Sequence, residues 1–122
     1  MLKQFSGATI WSEDLNNLLP FYRDTLGLKV SMQAERFAAL GEGESGTMLG
    51  LGSHSEVKGR ASDPYRHMVS FVSDDIDADY RRLSSAGVEF IEPPTDYGEG
   101  MHIATLKDPE GNLVQLFQMT NQ

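Results

Sequence analysis

Cysteine is absent from the 122-residue sequence, and tryptophan occurs once. Without a thiol there is no disulfide framework, no thiolate metal site and no cysteine nucleophile. Basic residues are outnumbered: ten Lys and Arg against eighteen Asp and Glu give a formal net charge of −8. The basic side chains are scattered along the chain, so the footprint of a phosphate backbone is missing and nucleic acid is not an expected partner. No stretch approaches the roughly 20 apolar residues that a spanning helix needs. The N-terminal MLKQFSGATIW carries no apolar core followed by a small-residue cleavage site. No membrane association and a cytoplasmic location are therefore the expectations. Hydrophobic residues at 39% and charged residues at 23% are ordinary for a globular chain. The length suits one domain over 1–122.

What the sequence does contain is an internal repeat. Gly7 to Val30, GATIWSEDLNNLLPFYRDTLGLKV, reads as a strand, an Asp-capped helix, Leu-Gly and a second strand. Met68 to Phe90, MVSFVSDDIDADYRRLSSAGVEF, reads the same way with one residue fewer in the helix. Asp14-Leu15 corresponds to Asp75-Ile76, and Gly27-Leu28 to Gly87-Val88. Each Asp can accept from the orphan N–H groups of a first helical turn, and each Gly suits the left-handed residue that ends a helix. Phe37–Leu51 then superposes on His102–Leu116 without a gap, with Gly46 and Gly111 in the turn of a hairpin. Asp108-Pro109-Glu110-Gly111 is a strong turn signal in itself.

The spacing predicts strands near 5–11, 28–34, 36–42, 46–51, 67–73, 88–91, 101–107 and 113–118, with helices near 14–25 and 75–86. Unit one covers 5–51, a polar connecting loop 52–66, and unit two 67–118. Pro20 conflicts with the first helix, because it removes an intrahelical hydrogen bond. Leu15, Leu18, Leu19, Tyr22 and Leu26 nevertheless keep an apolar helical spacing.

FYRDTLGLKV, the MVSFVSDDI that opens the second unit, and DPEGNLVQLFQ near the C-terminus resemble the vicinal-oxygen-chelate superfamily of glyoxalases, bleomycin-resistance proteins and extradiol dioxygenases. The resemblance runs from about Phe5 to Gln118. It implies an α+β fold of two tandem βαβββ units whose curved mixed sheets enclose a central cleft, and a homodimer. It also implies that a divalent metal often sits in that cleft, held by His, Glu or Gln on the first and last strand of each unit.

Carried over residue by residue, those ligand slots hold Gly7, Gly50, Met68 and Gln115. Glycine offers no side-chain ligand, and a thioether suits hard or borderline divalent ions poorly. Only Gln115 could ligate, and a metal site normally needs at least three protein ligands. No metal, no cofactor and no catalytic residue are therefore assigned. The register has one alternative: a shift by one would bring His67 into the cleft and turn Met68, Ser70 and Val72 away. The offset of Met68 from Asp75-Ile76 matches that of Gly7 from Asp14-Leu15 and favours Met68. His54 falls in the polar loop, and parity turns His102 away from the cleft. Asp74, Asp75 and Asp77 are explained by the dipole at the start of a helix.

Strand alternation gives the cleft lining as Thr9, Trp11, Met48, Gly50, Met68, Ser70, Val72, Met101, Ile103, Thr105, Leu113, Gln115 and Phe117. These side chains are mostly apolar, with a few hydroxyl and amide groups, which suits an organic ligand. The expected activity is metal-free binding of a small, partly planar organic molecule, for sequestration or resistance. Trp11 and Phe117 would stack, while Gln115 and Thr105 would hydrogen-bond. The alternatives are a metal-dependent lyase, isomerase or dioxygenase using His67 and unusual ligands, and an interaction module in which the same side chains simply fill the core.

Overall fold

A computed structural model describes residues 1–3, 5–41 and 47–120. The chain divides into two compact units, Met1–Gly59 and Arg60–Gln122, and the division falls inside the 52–66 segment.

Unit one holds a four-stranded mixed sheet in the order β1-β4-β3-β2, with β1 Gly7–Ser12, β2 Val30–Gln33, β3 Phe37–Leu40 and β4 Met48–Ser53. β1 and β4 are parallel, and the other pairs are antiparallel. β4 runs to Ser53, so Gly52 and Ser53 belong to the sheet rather than to the connecting loop. The expected turn glycine Gly46 lies outside the described residues.

The helix expected at 14–25 is broken into a 3-10 turn, Leu15–Asn17, and a π-helical turn, Phe21–Thr25. Pro20 sits between them and has no N–H to donate, so regular i to i−4 bonding cannot pass through it. The amide of Leu26 reaches the carbonyl of Phe21 instead. The apolar spacing survives this break, and Leu15, Leu18, Leu19 and Tyr22 are all buried. Ala38, Leu40, Leu49 and Leu51 are buried too, and they share one sheet face because Ala38 pairs with Leu51 and Leu40 with Leu49.

Unit two has the same topology, in the order β5-β8-β7-β6, with β5 Val69–Val72, β6 Phe90–Asp96, β7 Met101–Lys107 and β8 Leu113–Met119. Its helix, α1 Ile76–Ser85, is regular. Leu83 and Ile76 are buried, and Tyr80 meets Phe90 edge to face at 4.7 Å between ring centroids. Leu106, Ala104, Val114 and Leu116 complete this core. β6 runs well past the expected 88–91, with register shifts either side of Glu92.

The repeat extends into the hydrogen bonds that start each helical segment. In both units the amide of the capping Asp, Asp14 or Asp75, donates to the hydroxyl of the Ser two residues earlier, Ser12 or Ser73. The next amide donates to a side chain at the end of the last strand: Leu15 to Ser53 Oγ at 2.8 Å, and Ile76 to Gln118 Oε1 at 2.9 Å. Asp75 also accepts from the amide of Ala78 at 3.1 Å. Asp75→Ala is expected to lower stability by about 1 kcal/mol, the usual loss for an N-cap. Urea denaturation measures it, and an unchanged midpoint would show that the cap contributes nothing.

Candidate functional site

In each unit one sheet face is buried beneath the helical segment, and residues directly opposite on paired strands project to the same face. The other face is therefore composed of the alternate residues, row by row.

In unit one, Trp11 and Phe37 both pair with Gly52, while Thr9 and Ala39 both pair with Gly50. The two glycines explain how the rings sit. A Cβ at Gly52 would lie 2.4 Å from Trp11 Cζ3 and 3.1 Å from Phe37 Cδ1. A Cβ at Gly50 would lie 2.7 Å from Thr9 Oγ1 and 2.8 Å from Phe37 Cζ. The rings thus lie across a strip of bare backbone, with centroids 6.1 Å apart. His54 closes on Trp11 edge to face at 5.4 Å, and its Nδ1 accepts from the amide of Glu56. Trp11 remains 44% exposed, so the platform keeps an accessible face.

Gly7 pairs with Met48 one row away. Its φ is +147°, and a Cβ there would come within 1.9 Å of the Met48 carbonyl oxygen. Gly7 is thus closed to a side chain by backbone of the adjacent strand, whereas the atoms that crowd Gly50 are the ends of the Thr9 and Phe37 side chains, which would have to move.

In unit two, Ser70 pairs with Gln115, Gln115 with Thr105, and Thr105 with Glu92. The next row is Val72, Phe117, Ile103 and Thr95. Met101 pairs with Met119, and Leu113 with Lys107. Ser70 Oγ donates to Gln115 Oε1 at 3.3 Å. Tyr97 donates its hydroxyl proton to Glu92, and that carboxylate holds the Tyr97 phenol above its ordinary range. Leu113 and Thr105 are buried, whereas Val72 is largely exposed. Met68 lies one residue before β5 and is half-buried, and His67 is exposed.

These residues do not suit a metal ion. Two of the four slots are glycines, which offer no side-chain ligand, and backbone of the adjacent strand closes the space at Gly7. Among the described residues no group of three or more His, Asp or Glu is gathered so that it could hold a metal.

Phe37, Gly52 and His54 join Trp11 although the sequence pattern did not single them out. Leu40 pairs with Leu49 but Leu106 with Val114, so the first hairpin carries one residue more between paired positions. The gapless superposition therefore slips by one on β3: Phe37 corresponds to Ile103, not to His102. His102 itself pairs with Gln118, whose side chain caps α1, and its Nε2 lies 3.1 Å from Thr120 Oγ1. Extending the alternation of β4 by two residues, from Gly50 to Gly52, would have found the second glycine.

Residues 4–116 match the family described as the Glyoxalase/Bleomycin resistance protein/Dioxygenase superfamily. The uncharacterised protein YraH of Bacillus subtilis (strain 168) is 26% identical, over 87% of this chain and 91% of its own length. A member of the glyoxalase/bleomycin resistance protein/dioxygenase superfamily from Sphaerobacter thermophilus is 25% identical. That alignment covers 96% of this chain and 98% of the other, with a TM-score of 0.74. A lactoylglutathione lyase from Agrobacterium tumefaciens shares the fold at 19% identity, with a TM-score of 0.73 over 96% of this chain and 94% of the other. Among the described residues no helix is long and apolar enough to cross a membrane.

Proposed function

Because the chain belongs to the glyoxalase, bleomycin-resistance and dioxygenase superfamily, we propose that it binds a small, partly planar organic molecule without a metal ion, for sequestration or resistance. The observation that carries this reading is the half-exposed Trp11 ring lying with Phe37 over Gly50 and Gly52. An aromatic surface that keeps one accessible face beside polar groups is suited to stacking on a flat ligand. The lack of a side-chain ligand at Gly7 and Gly50, the first closed by the Met48 carbonyl, supports the metal-free part of the reading. A metal-dependent lyase, isomerase or dioxygenase using His67 gains no support, since His67 is exposed and precedes β5. The protein is proposed to work in the cytoplasm as a homodimer, which light scattering on the purified chain checks.

Trp11 is the only tryptophan, so its emission reports on unit one alone. A planar aromatic ligand found by thermal-shift screening should quench or shift that emission, and Trp11→Ala should weaken binding by roughly 1–3 kcal/mol. Because a ligand of the native state stabilises it by mass action, a saturable shift of Tm with Zn²⁺, Ni²⁺, Mn²⁺ or Fe²⁺ would defeat the metal-free reading. The absence of any aromatic ligand that perturbs Trp11 would defeat the binding reading.

A further inference from the structure

On the helix-free face of unit two, four polar residues form an unbroken row, one from each strand: Ser70 on β5, Gln115 on β8, Thr105 on β7 and Glu92 on β6. Their hydrogen-bonding capacities are distinct. Ser70 donates to the Gln115 carbonyl oxygen, which keeps a second lone pair, and the Gln115 amide group can donate. Thr105 can donate or accept. Glu92 can only accept when ionised, and Tyr97 takes just one of its two carboxylate oxygens. Among the described residues no cation pairs with Glu92, and the neighbouring Lys107 is engaged with Glu89 at 3.4 Å. A half-buried carboxylate on a sheet face, oriented by a tyrosine and lacking a counter-charge, is complementary to a donor. Alongside runs the mainly apolar row of Val72, Phe117, Ile103 and Thr95.

We infer that this row is a polar recognition strip of unit two, and that Glu92 selects molecules whose planar body, lying on the Val72, Phe117 and Ile103 row of the same sheet, carries a protonated amine over those carrying a carboxylate. The inference rests on the reading above only in that the chain binds a planar organic molecule, and it is confined to the sheet of unit two. An ammonium would complete the free Glu92 oxygen with a charge-assisted hydrogen bond. A carboxylate in its place would face another carboxylate on a chain of net charge −8. Tyr97 acts as a positioning residue by fixing the Glu92 rotamer.

The test uses three matched probes, naphthylmethylamine, naphthylmethanol and naphthoate, titrated into the full chain and followed by amide chemical shifts. The amine is expected to bind about tenfold tighter than the carboxylate, the scale of one charge-assisted contact, with the largest shifts at Glu92 and its neighbours. Glu92→Gln should remove most of that preference while leaving the alcohol nearly unchanged, and Tyr97→Phe should reduce it in part. Equal affinities for amine and carboxylate, or equal weakening of all three probes in Glu92→Gln, would overturn the inference while leaving small-molecule binding standing. Failure of all three probes to bind either unit would overturn both.

Discussion

Gly7→Ala is expected to lower stability by about 2–4 kcal/mol, the range for a side chain forced into strained, Gly-favouring backbone against neighbouring main chain. Two costs combine at this position. The φ of +147° lies where L side chains rarely go, and the new Cβ would stand 1.9 Å from the Met48 carbonyl oxygen. That oxygen is backbone of the adjacent strand and cannot swing aside as a side chain can. Relief requires β1 to pull away from β4 at its first pair, Gly7 with Met48. Gly27→Ala is the internal control: it shares a positive φ, +83°, but has open space around it. Its loss should be nearer 1 kcal/mol. Urea denaturation followed by circular dichroism compares the two, and equal losses would show that the contact with Met48 adds nothing. Gly7→His should be at least as destabilised and should gain no Tm increase with divalent ions. A metal-stabilised Gly7→His protein would show that the slot can be refilled and that its closure is not built into the fold.

Most of the architecture was legible in the sequence, for physical reasons that the structure makes explicit. The Asp caps, the Leu-Gly and Ala-Gly helix ends and the alternating strands are local signals, and both Asp14 and Asp75 accept a nearby backbone amide as such signals require. The first helix was only half legible: its apolar spacing survived, but Pro20 broke its hydrogen bonding into two unlike turns. Side-chain partners distant in sequence were not legible. Nothing local in Ser53 or Gln118 shows that each accepts the first amide of a helical segment about forty residues earlier in the chain. Phe37 was missed because one extra hairpin residue shifts the parity of β3, and such a one-residue slip turns every side chain to the opposite face. Glu92 was missed because it stands between two register shifts on β6, where alternation gives no reliable face.

Whether Trp11 belongs to a site or to a core can be decided by comparing it with Tyr22. Tyr22 is fully buried in unit one and meets Phe21 edge to face at 5.1 Å. Its removal leaves a large cavity between the broken helical segment and the rest of the unit, so Tyr22→Ala should cost about 3–5 kcal/mol, as for other buried aromatics. Trp11 is larger, yet 44% of it is exposed and its inner face rests on glycine backbone. Truncating it gives up contact on one side only, and Trp11→Ala should cost no more than about half as much as Tyr22→Ala. Chemical denaturation followed by circular dichroism reads both variants, since fluorescence is lost with Trp11. If the two losses are equal, Trp11 is part of the packing and the two glycines merely accommodate it. If Trp11→Ala is the milder and also abolishes the response to aromatic ligands, the ring's exposed face serves binding, because stability alone does not require it.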